Sequence, residues 1–90
     1  MKIIFNIIDS EIDHLARHKL FKGWSADGKL DVENNPNAYL DYSKFLAKPA
    51  IDWCIENQLK VRVENAKYAM RLAFIFDHDV DAMAFKLAWN

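Results

Sequence analysis

The chain is 90 residues long, 52% apolar and 28% charged, with a formal net charge of −1. This balance excludes a disordered chain and leaves room for a single domain, residues 1–90, but not for a second core. It also argues against a general nucleic-acid binder, which carries a strong basic excess, while leaving room for a local basic face.

A domain this small buries only about 60% of the surface its unfolded chain exposes. Six Phe, three Tyr and three Trp compensate with large rings. Cys54 is the sole cysteine, so no intrachain disulfide framework supports an extracellular setting. No apolar run approaches the roughly 20 residues that span a bilayer. The segment Lys2-Ile-Ile-Phe5 is too short for the apolar region of a signal peptide. The cytoplasm is the expected location, and no membrane contact is expected.

Residues 2–8, Lys-Ile-Ile-Phe-Asn-Ile-Ile, are predominantly β-branched and apolar on both faces, which predicts a buried strand. Ser10 as N-cap, with Asp13 three residues on, predicts a helix over 11–22. Its apolar stripe is Ile12, Leu15, Ala16 and Leu20, with Lys19 and Lys22 in the last turn and Gly23 just beyond. Residues 23–38 are irregular. Asp27-Gly28 suits a short hairpin between Trp24–Ala26 and Lys29–Val32. Asn34-Asn35-Pro36-Asn37 suits a turn, or a helix start with Asn35 as N-cap and Pro36 as the first helical residue.

Residues 38–47 predict a short helix bearing Tyr39, Tyr42, Phe45 and Leu46. Pro49 turns Lys48 away from helical angles and opens a second helix with the stripe Ile51, Cys54 and Ile55, ending near Asn57. Residues 59–64 alternate Leu59, Val61, Val63 with Lys60, Arg62, Glu64, which predicts a half-buried strand. Asn65 and Ala66 fit a turn. Residues 67–76 alternate again and finish apolar on both faces, so this strand is expected to be central; a helix through 66–73 is the rival reading. Asp79 is the expected N-cap of a last helix over 80–89, with the stripe Val80, Met83, Ala84 and Leu87 and with Phe85 and Trp89 flanking it. An edge strand at Phe85–Trp89 is the rival there. Together these elements predict an α+β fold: a small sheet of about three strands with helices packed on one face.

No catalytic motif is present. There is no GxGxxG, P-loop, GxSxG or CxxC, and only two glycines exist to form a phosphate-cradling loop. Catalytic residues, cofactors and metals are therefore expected to be none. His14 and His18, four apart, have a spacing that can serve one metal, but no HExxH pattern follows and a solvent-facing polar helix side accounts for them. Asp77-His78-Asp79-Val80-Asp81 gathers carboxylates that can ligate a divalent ion, although capping and the helix dipole account for carboxylates at a helix start. Cys54 on an apolar stripe reads as structural, because a catalytic thiol needs a lowered pKa and a base.

Two surface readings carry function. Trp24, Trp53 and Trp89 are candidate protein-binding anchors, since Trp is enriched at interface hot spots, with core anchoring as the commoner role. Lys60, Arg62, Lys67 and Arg71 on a hairpin, with Tyr68 or Trp53 nearby, are a candidate nucleic-acid face, with a solvated sheet surface as the commoner role. An exposed edge strand would also allow a homodimer.

The stretch Phe74-Ile-Phe-Asp-His-Asp-Val-Asp-Ala-Met-Ala-Phe-Lys-Leu-Ala-Trp89 resembles the ends of small uncharacterised proteins of tailed bacteriophages, T4-like phages of marine bacteria among them. In these an aromatic strand ending in Asp leads into Asp-Ala-x-x-Phe-Lys-Leu-x-Trp. Pro49-Ala-Ile-Asp-Trp-Cys-Ile-Glu-Asn57 is similar to them as well. The resemblance covers about a third of the chain. It implies a phage origin and a host-cytoplasm setting, and it carries no catalytic residues. The expectation is a non-enzymatic interaction module that modulates a host or phage protein, with a nucleic-acid-binding accessory protein as the alternative.

Overall fold

The computed structural model of the chain describes residues 1–10, 12–13, 16–17, 19–22, 30, 32–66 and 70–89. Three strands and three helices follow in the order β1 (Lys2–Asn6), α1 (Ala38–Leu46), α2 (Lys48–Glu56), β2 (Val61–Asn65), β3 (Arg71–Phe76) and α3 (Asp79–Trp89). The sheet is antiparallel throughout, with spatial order β1-β3-β2. This is a small α+β fold, and β3 is central, as its apolar character on both faces requires.

Register sorts the sheet into two faces. Ile3 and Phe5 of β1, Leu72, Phe74 and Phe76 of β3, and Val61 and Val63 of β2 share one face. The helices bury that face. Leu46 from α1, Ala50 and Cys54 from α2, and Ala82 and Phe85 from α3 join the same core cluster, with Ala47 from the α1–α2 junction. Phe85 is the hub. Its ring stacks on Phe74 at 4.6 Å between centroids and meets Phe5 edge-on at 5.7 Å. Offset and edge-to-face geometries of this kind are the favourable ones for aromatic quadrupoles.

Several expectations need correction. The first strand stops at Asn6 and is buried on one side only. Ile4 is exposed because it lies on the face of β1 opposite the core, and Ile8 is exposed in the turn beyond the strand. The Asn6 side chain ends it: Oδ1 accepts the Ile8 N–H and Nδ2 donates to Asp9 Oδ2, a local turn that competes with the ladder.

The helix over 11–22 is not continuous. Ile12 and Asp13 are outside helical geometry, as are 19–22, and only Ala16 and Arg17 are helical among the described residues. Ser10 is not the cap. Its hydroxyl donates to the Ile7 carbonyl and accepts the Ile12 N–H, while Asp13 Oδ1 accepts the Ala16 N–H. Leu20, expected in the buried stripe, is exposed, and Arg17 turns inward instead. The hairpin expected around Asp27-Gly28 lies outside the described residues.

Residues 34–37 take the turn reading, and Asn35 is not the N-cap. Its side chain accepts the Asn37 N–H, and α1 begins at Ala38, two residues after Pro36. Lys48, expected to be non-helical before Pro49, is the first residue of α2. The chain turns at Ala47 instead, and Pro49 occupies the first helical turn, where its missing N–H costs nothing. The stripe of α2 is rotated, since Cys54 is buried but Ile55 is 67% exposed, and Ala47 and Ala50 complete the inner side.

The largest correction concerns α3. Its expected inner stripe faces out, with Val80 77%, Met83 59% and Leu87 85% exposed, while Ala82 and Phe85 are fully buried. This helix is apolar on two sides, so periodicity alone does not say which side enters the core. The ring of Phe85 fits the aromatic surface of Phe5, Phe74 and Phe76, and that contact decides it.

Candidate functional site

Lys2, Ile4 and Asn6 of β1, Arg71, Ala73 and Ile75 of β3, and Arg62 and Glu64 of β2 form the second face of the sheet. None of the three helices packs over it, since their buried side chains join the cluster on the opposite face. Two cross-strand rows build its middle. Lys2, Ile75 and Arg62 lie side by side in one, and Ile4, Ala73 and Glu64 in the next. Ala73, the smallest side chain, sits buried between longer neighbours, and Ile4 is 48% exposed beside it. Strand spacing puts the Lys2 and Arg62 backbones roughly 9–10 Å apart, with Arg71 roughly 13 Å along β3 from their row. The Arg62 guanidinium lies 3.8 Å from the Glu64 carboxylate, and both side chains are well exposed, so this pair contributes little to stability. The result is an apolar centre, Ile4 and Ile75, bordered by basic and polar groups.

The structure therefore brings Arg62 and Arg71 of the candidate basic set onto one face. Lys60 is exposed just before β2, and Lys67 lies outside the described residues, as does Tyr68. Lys2 joins the face from β1, and sequence reasoning missed it. Its signal was the alternation Lys2, Ile4, Asn6, which the apolar residue at position 4 concealed.

Trp53 and Trp89 are half-buried against the core. Trp53 meets Phe85 edge-on at 6.2 Å, and Trp89 meets Phe5 edge-on at 6.2 Å. The indole N–H of Trp89 is buried and has no hydrogen-bond partner among the described residues. Trp24 lies outside the described residues.

Among the described residues no three His, Cys, Asp or Glu side chains converge on a metal-sized space. Asp77, His78 and Asp79 are exposed at the start of α3, and His14 and His18 lie outside the described residues. Cys54 is fully buried, and burial pushes its thiol up to about 11, the direction opposite to an activated nucleophile. No described helix is long and apolar enough to cross a membrane.

No protein-family model, curated protein or solved structure shows a match to this chain.

Proposed function

We propose that this chain is a non-enzymatic protein-interaction module, phage-encoded and acting in the host cytoplasm on a host or phage protein. The observation that carries the reading is the second face of the sheet. An apolar centre at Ile4 and Ile75, rimmed by Lys2, Arg62, Glu64 and Arg71, has the anatomy of a binding patch: a water-excluding middle within a polar border. Among the described residues of this face, Lys2 and Arg62 stand beside a single acidic group, Glu64, which favours a partner with an acidic surface. The resemblance of residues 74–89 supports the phage origin. Trp24, Trp53 and Trp89 belong to the same proposal as contact residues. Trp53 and Trp89 also support the core, so their substitutions act on stability first.

The test is capture from bacterial lysate by the tagged protein, with mass spectrometry after a salt wash. The wild type retains one stoichiometric protein, and Ile4→Asp or Arg62→Glu releases it without lowering the melting temperature. Retention unaffected by both substitutions would remove the sheet face from the proposal, and an empty capture would remove the module reading itself.

A nucleic-acid-binding accessory protein is the second reading, favoured by Lys2, Arg62 and Arg71 projecting from one face. It ranks below the first because the described residues of that face carry no aromatic ring for base stacking. Single-stranded DNA or RNA binding that weakens steeply with added salt would promote it, and no binding at low salt would remove it.

A further inference from the structure

The outer side of α3 is the most exposed apolar surface among the described residues. Val80, Met83 and Leu87 recur at three and four residues, the spacing of a helix seam, and they point directly away from the buried Ala82 and Phe85. Ala84 and Ala88 lie alongside and are small enough to let another backbone approach closely. Asp79 and Lys86 are seven residues apart, two helical turns, so they share one flank of the seam. Both are exposed, and neither pairs with another described residue.

We infer that this seam is completed by a second copy of the chain, with the two α3 helices antiparallel about a two-fold axis. Such an axis makes the interface self-complementary, each flank meeting the same flank of the other copy. Centred between Met83 and Ala84, it sets Val80 against Leu87 of the second copy and Met83 against Ala84 of the second copy. On the charged flank, Asp79 then comes within about one helical turn of Lys86 of the second copy, and the pair occurs twice. A parallel two-fold would bring opposite flanks together, turning Asp79 towards Asp81 of the second copy and Lys86 towards Ala84 and Ala88, with no opposite-charge pair, so the charges select the antiparallel arrangement. The two Asp81 side chains fall on the other flank, offset along the axis by about five residues, roughly 7.5 Å, so they do not stand directly opposite one another.

An 11-residue helix is only about 16 Å long. Its seam covers less than the roughly 800 Å² per partner of a standard interface, so the dimer is a weak and concentration-dependent one. It leaves both sheet faces pointing outward, on the far side from the seam. The dimer therefore does not rest on the sheet-face reading, and either can fail alone.

Sedimentation equilibrium from micromolar to millimolar protein tests the inference. The apparent mass is expected to rise from the 10.5 kDa monomer towards twice that value. Leu87→Glu holds the chain at the monomer mass throughout, with an unchanged circular dichroism spectrum because the residue is exposed. Asp79→Lys and Lys86→Asp each weaken association about three- to tenfold, the modest effect expected of exposed ion pairs. The double swap, Asp79→Lys with Lys86→Asp, restores it. A wild type that stays monomeric at millimolar concentration overturns the inference, and so does a dimer that the double swap fails to restore.

Discussion

Arg17 shows how a single side chain joins distant parts of the chain. Its Nε and one terminal nitrogen donate to the Phe45 carbonyl at 3.1 and 2.8 Å, and the guanidinium lies 4.9 Å from the centre of the Phe45 ring. The acceptor belongs to the last turn of α1, where a backbone N–H of the C-cap also donates to it, so the guanidinium bonds to the carbonyl's remaining acceptor capacity. One planar cation thus reinforces a helix end and stacks on an aromatic face. Arg17→Met, which keeps the stem and removes the fork, is expected to lower stability by about 1–3 kcal/mol. Arg17→Lys should recover less than half of that, because a single ammonium can neither fork nor stack. Urea denaturation at unchanged m-value measures both. Nothing in the sequence near position 17 marks this role. There Arg17 belongs to a polar helix side, and its partner is 28 residues away.

At the scale of elements, the end of α2 explains why the chain turns where it does. Gln58 has φ 58°, the left-handed region that glycine occupies without cost. The Leu59 N–H donates to the Cys54 carbonyl and the Gln58 N–H to the Ile55 carbonyl, the paired bonds that close a helix and turn the chain into β2. Leu59 then packs against the core cluster that holds Cys54, the apolar contact that accompanies this closure. Gln58→Gly is expected to stabilise the domain by about 1 kcal/mol, seen as a rise in melting temperature of roughly 4–8 °C. Gln58→Val should lower it, since a β-branched residue resists positive φ. All six elements are legible in the sequence close to their observed places, because their periodicity is local. The continuous helix expected over 11–22 is not among them: apolar spacing and cap signals describe a helix there, but Ser10 Oγ accepts the Ile12 N–H and the described residues 12–13 and 19–22 lie outside helical geometry.

For the whole molecule, the one-sided core sets the response to pH. Cys54 is fully buried, and burial pushes its thiol from an ordinary 9.0 up to about 11; burial also raises the Tyr42 hydroxyl. A thiol that resists ionisation in the folded state but not in the unfolded state stabilises the fold fully below pH 9. Above that pH the unfolded chain sheds its proton first, so stability falls progressively until about pH 11, by roughly 2–3 kcal/mol for the thiol. Tyr42 adds to the decline at higher pH. Chemical denaturation between pH 7 and 11 measures the slope, and Cys54→Ala should flatten its first part. A stability that is level or rising between pH 9 and 11 would contradict this burial-driven shift.

Much of the second sheet face was also within reach of the sequence. The alternation of 59–64 and 67–76 already places Arg62 and Arg71 away from the valines and phenylalanines. Lys2 was harder to place, because Ile4 conceals its alternation and only pairing to β3 sets β1 beside them. Composition and periodicity by themselves determined the α+β class, the central position of β3 and the structural character of Cys54, since each follows from local pattern and apolar content. The tertiary structure alone decided which side of α3 and α2 enters the core, that Ile4 stays at the surface, and that Arg17 turns inward. Those outcomes depend on which apolar surfaces fit one another across the fold. Phe85 wins its place against Phe5, Phe74 and Phe76, and the seam of Val80, Met83 and Leu87 is left facing out.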